Sequence, residues 1–208
     1  MKKQKTIQSL LLIGLLFFTS CSTKIIRPTI SESDFSSTAS KKLVSCALYV
    51  TDDFKAYTVS ETVAMAGIKW QFELGPCAID AFRYGLASKF ENVQVKLGEP
   101  RFPFTDSQLM DPVIIVEPSF DHFEVLHLPI LFKFEPHSVK VSLKVKTYDS
   151  SGRVLLDKLY EAKGSKLGSV GFQDPGVKAL PIASKIAIQD AVNKALSDII
   201  TLQENKVQ

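Results

Sequence analysis

The stretch "SVKVSLKVKTYDSSGRVLLDKLYEAKG", residues 138–164, constrains the fold more than any other part of the chain. Val139, Val141, Leu143 and Val145 alternate with Lys140, Ser142, Lys144 and Lys146, and a period of two marks a strand with one buried and one solvated face. The partner strand follows directly. With Asp149 to Gly152 as the turn, Tyr148 faces Arg153, Lys144 faces Asp157 and Lys140 faces Glu161. Opposite charges across an antiparallel pair contribute roughly 0.2–1 kcal/mol each, so hydrophobicity and charge support one register. The lysine stripe then has a structural explanation, preferred here over an anion-binding role.

Other elements follow from periodicity. "KKLVSCALYV" alternates through Val44, Cys46, Leu48 and Val50 and reads as a strand, and residues 55–75 carry strand-like residues at both ends, a hairpin with Gly67 near its bend. From Pro76 the period lengthens: Ile79, Phe82, Leu86 and Phe90 predict a helix over about 76–91, since proline is tolerated in a first helical turn. Strands follow near Val93 to Leu97 and in "DPVIIVEP", the latter bounded by Pro112 and Pro118. A glycine-containing loop leads to a last helix over about 180–202, with Ile188, Ala191, Val192, Ala195, Ile199 and Leu202 as its apolar stripe. The order predicts an α+β fold, a mainly antiparallel sheet with two helices packed on one face.

No constellation for catalysis emerges. His122, His127 and His137 lack HExxH or cysteine-pair zinc spacing. "GSKLG" and "GSVG" are not a nucleophile elbow, and no Lys-Ser or Lys-Thr closes a phosphate loop. The expectation is therefore a non-enzyme with no metal and no cofactor. One stretch stands out. "VLHLPILFKF", residues 125–134, is apolar where a connection between strands is ordinarily polar. It either completes a buried strand or forms an exposed apolar tip, and as a tip Leu128, Ile130, Leu131 and Phe132 would be partner contacts.

The chain begins with Lys2, Lys3 and Lys5, an apolar run from Leu10 to Phe18, and Thr19-Ser20 before Cys21. A basic start, a short apolar core and small residues before a cut make a secretory signal; a membrane-spanning helix needs about 20 apolar residues. Residues 1–20 hold three of the 25 basic residues and none of the 22 acidic ones, so the processed chain is balanced at 22 of each. Clustered positive charge for nucleic acid is not indicated. Removing 20 of 208 residues leaves 188, within the size of one domain.

Phe18-Thr19-Ser20-Cys21 resembles the signal box of bacterial lipoproteins, with Phe18 where leucine is usual. That resemblance implies cleavage before Cys21 and three acyl chains on it, an anchor that holds stably. Ser22 rather than Asp after the cysteine implies the outer membrane, facing the periplasm. Residues 21–41, rich in Ser and Thr, read as lipidated cysteine and flexible tether; as a random coil the 20 residues from Ser22 span roughly 25 Å. Residues 42–203 are then a single domain and 204–208 a tail. Of the remaining cysteines, Cys46 lies on a strand's apolar face and Cys77 starts a helix, so two buried free thiols are expected rather than a disulfide.

The order of elements over about 42–202 also resembles a set of small outer-membrane lipoproteins, among them the LPS-assembly lipoprotein, YajG-like and transporter-auxiliary lipoproteins. "CSTKIIRP" lacks the aromatic stretch usual after the cysteine of the LPS-assembly lipoprotein. The resemblance implies an anchor, a compartment and a general role: an accessory or docking subunit of an envelope assembly or transport system, with an envelope protein as partner. A carrier or sensor of an apolar ligand, held between sheet and helices, is the alternative.

Overall fold

The computed structural model describes residues 23–35, 41–63, 68–104, 113–127, 136–167 and 175–204. In chain order they form β1 (Thr23–Ile26), a 3-10 turn (Glu32–Phe35), β2 (Lys42–Val50), α1 (Asp52–Lys55), β3 (Thr58–Val63) and β4 (Ile68–Glu73). Then come α2 (Gly75–Ala87), β5 (Phe90–Leu97), β6 (Val113–His127), β7 (Pro136–Tyr148), β8 (Val154–Leu167) and α3 (Pro175–Glu204). The fold is α+β, with helices packed against sheets. Two mixed sheets take the place of one mainly antiparallel sheet: five strands in the order β5-β2-β6-β7-β8 and three in the order β1-β4-β3. The long ladders β6-β7-β8 are antiparallel, whereas β2 pairs in parallel with both β5 and β6. Parallel neighbours need crossover connections, and α2, immediately before β5, belongs to one of them.

Residues 23–35 correct the expected tether. Thr23–Ile26 pairs in parallel with β4, and Ile26, Ile30 and Phe35 are buried in the core. The turn that brings Phe35 inward closes on Asp34, whose Oδ2 accepts hydrogen bonds from the Ser31 backbone N–H at 2.8 Å and its hydroxyl at 2.9 Å. Asp34 also pairs with Lys185 of α3 at 2.7 Å, and Gln189 Nε2 donates to the Asp34 carbonyl at 2.6 Å. Burial of three large apolar side chains outweighs the weak strand pattern of "TKII". The domain thus includes residues well before 42, while Cys21, Ser22 and residues 36–40 lie outside the described residues.

The β7–β8 hairpin keeps its predicted faces: Val139, Val141, Leu143 and Val145 are fully buried. Its register differs from the expected one by two residues. Lys144 stands opposite Leu159 and Lys140 opposite Lys163, after a bulge between Thr147 and Tyr148 that puts Tyr148 opposite Val154. Asp149 causes the shift by gathering its own turn: Oδ1 accepts from the Ser151 N–H and hydroxyl and from the Arg153 N–H, and Gly152 takes a φ of 93°. A slip of two leaves every side chain on its own face. The expected ion pairs still form, as diagonal contacts: Lys140 with Glu161, and Lys144 with Asp157 at 3.1 Å.

β6 runs straight through Pro118, the expected boundary. The last residue it pairs with on β2 is Val116, so Pro118 lies beyond that ladder and its missing N–H costs no bond in it. A bulge at Asp121 then restores the face, bringing Phe120, Phe123 and Val125 opposite Leu143, Val141 and Val139. Phe120 stacks on Tyr57 with centroids 4.1 Å apart, and Phe123 meets Phe72 of the small sheet at 4.9 Å.

The helix expected over 76–91 is α2, which stops at Ala87, and β5 begins at Phe90. The helix expected over 180–202 extends in both directions, with Pro181 inside it. Its stripe places Ala179, Ala183, Ala187, Ala191 and Ala195 every four residues, all buried. Small side chains let α3 lie close on β8: a Cβ built on Gly164 would stand 1.9 Å from the Ala183 carbonyl oxygen. Cys46 and Cys77 are buried free thiols, and burial raises both, that of Cys77 to about 12 with Asp80 as second cause.

Candidate docking surfaces

β8 is an edge of the five-stranded sheet and, at 14 residues, presents the longest unpaired strand edge among the described residues. α3 packs against it. Lys194 reaches across and donates to the Glu161 carbonyl at 2.9 Å while pairing with Asp190 at 2.8 Å. Two shallow grooves open to solvent run along this rim, one lined by Lys158, Tyr160, Lys194 and Asp198, the other by Lys140, Glu161, Lys163 and Asp190.

The charges in these grooves are engaged with one another. Lys158 Nζ and Tyr160 Oη both donate to Asp198 Oδ2, at 2.7 and 2.9 Å, and these bonds, Lys158's foremost, hold the Asp198 carboxyl below the usual carboxylate range. Burial, then Asp198 as acceptor, raises the Tyr160 hydroxyl. Glu161 is lowered chiefly by Lys140 and also accepts from Ser142 Oγ. The grooves therefore present charges of both signs that are paired with one another.

Cys21 and the four apolar residues Leu128, Ile130, Leu131 and Phe132 lie outside the described residues. β6 ends at His127, in register with Ser138 of β7, which begins at Pro136. Val125, read as the start of the apolar stretch, belongs to β6 and packs against the core. His122 is exposed opposite the buried Ser142, and His137 is buried opposite Lys166. Among the described residues no group of three His, Cys, Asp or Glu side chains is placed to hold a metal ion, and no helix is long and apolar enough to cross a membrane. The β8 rim escaped sequence reasoning because strand order is set by non-local pairing; the lysines at 158, 163 and 166 were the only local sign, since charge commonly guards an edge.

No family model matches the chain, and no curated protein matches it in sequence. Similarity appears in structure. Protein XCC0632 from Xanthomonas campestris, assigned to the family model DUF330, superposes with a TM-score of 0.55 at 12% identity, covering 88% of this chain and 98% of its own. A candidate lipoprotein from Caulobacter crescentus gives 0.46 at 12% identity over 84% and 96% of the two chains, and protein CT253 from Chlamydia trachomatis gives 0.45 at 9% over 76% and 96%. The chain shares its fold with the Xanthomonas protein.

Proposed function

We propose that the protein is an outer-membrane lipoprotein, anchored by acyl chains on Cys21 with its domain in the periplasm, and that it serves as a non-enzymatic docking subunit of an envelope assembly or transport system. The observation that carries the docking role is the open rim of β8, a long strand edge flanked by fixed charges of both signs. An extended segment can add to such an edge through main-chain hydrogen bonds, and flanking side chains supply selectivity. Lys158, Lys163 and Lys166 restrain indiscriminate pairing. Leu128, Ile130, Leu131 and Phe132 belong to the same reading as apolar contacts with the envelope.

The test is crosslinking of the tagged, lipidated protein in its native membrane, with a photoreactive residue placed at Leu159 on β8. A stoichiometric envelope protein captured there supports the docking role. The same capture repeated in a Leu131→Asp background separates rim from tip: loss would move the interface to residues 128–132. Lipid alone co-purifying from both forms would replace docking with the carrier of an apolar ligand.

A further inference from the structure

We propose that the end of the molecule carrying Thr23, Lys69, Lys166 and Leu167 rests on the lipid headgroup surface, so that the anchor sets an orientation as well as a location. The inference rests on lipidation of Cys21 and extends it. Covalent geometry limits the Cα of Cys21 to about 7 Å from that of Thr23, and Thr23 is already a β1 residue in register with Lys69. A membrane held at Cys21 is therefore held at the start of β4.

Two aromatic contacts tell which end of the domain this is. Tyr57, whose carbonyl accepts the Leu74 N–H, stacks on Phe120, whereas Phe72, two residues earlier on β4, packs on Phe123, further along β6. β4 and β6 thus run in opposing senses. Followed backward, β4 reaches Lys69 and Thr23; followed forward, β6 reaches His127, beside the ladder's last pair, Pro136 and Leu167. The opposite end holds the β7–β8 turn and the end of α3, where Glu204 pairs with Lys42 at the start of β2.

The surface chemistry at the anchored end matches the occupant. Thr23, Lys69, Lys166 and Leu167 are exposed, Leu167 to 66%. Lysines attract anionic headgroups and an exposed leucine suits the interface below them. A 20-residue tether would have left orientation free; a spacer of Ser22 alone does not.

The full lipidated protein, reconstituted in phosphatidylethanolamine vesicles containing phosphatidylglycerol and a headgroup-linked quencher, provides the test. A fluorophore is attached at Leu167→Cys or, at the far end, at Val154→Cys; both parent positions are exposed, and the buried Cys46 and Cys77 thiols do not compete. Quenching several-fold stronger at 167 than at 154 is expected. Flotation with the vesicles and equal quenching at both positions, or stronger quenching at 154, would overturn the orientation and leave the anchor standing. Failure to float would remove the anchor and the orientation with it.

Discussion

Gly164 shows how one missing side chain fixes the distance between two elements. It lies in β8 opposite Val139, and an added Cβ would stand 1.9 Å from the Ala183 carbonyl oxygen and 2.7 Å from the Ala187 nitrogen, both backbone atoms of α3. Glycine ordinarily weakens a strand interior, so alanine would be favoured here if space allowed. Backbone cannot yield as a flexible side chain does. Gly164→Ala is expected to lower stability by about 1–3 kcal/mol, the cost of overpacking, at the upper end because a 30-residue helix must move. Urea denaturation reads this directly; an unchanged or raised midpoint would show that α3 does not sit against β8 as described.

At the scale of elements, the hairpin β7–β8 separates face from register. Lys146 stands directly opposite Asp157, yet the ion pair is made by Lys144, one diagonal away, at 3.1 Å. Long side chains reach diagonal neighbours across a strand pair. In double-mutant cycles Asp157 should couple to Lys144 by a few tenths of a kcal/mol, since both groups are nearly half exposed and screened, and to Lys146 by less. The reverse ranking would restore the direct cross-strand arrangement. The alternation of Val139 to Val145 made the faces legible in sequence because a period of two is local, and the register was not, because Asp149 draws Ser151 and Arg153 into its turn. The same division runs through the fold. α3 and β7 are long and periodic and were readable; β1 has four residues and no period, and β6 continued past Pro118 only because β2 ends beside it. The β8 rim was not readable, because being an edge depends on every other strand's place.

For the molecule as a whole, the decisive question is whether residues 22–35 are spacer or structure. If they were a tether, a soluble chain beginning at Lys41 would melt like one beginning at Ser22. The structure gives Ile26, Ile30 and Phe35 relative exposures of 1%, 7% and 7%, and burying such side chains is worth roughly 1.5–3 kcal/mol each. Area-based figures are upper estimates, but even half of that sum is a large share of the ~5–15 kcal/mol that holds a domain folded. The shorter chain also loses the strand that covers one edge of β4, the Asp34–Lys185 pair and the Gln189 contact. It is expected to melt well below the longer chain or not to fold, with the loss visible by circular dichroism. Equal melting temperatures would return the segment to the role of tether, and under the proposed anchor the domain would be free to turn above the membrane; a large loss makes β1 part of the fold, the strand through which the proposed anchor at Cys21 would hold it.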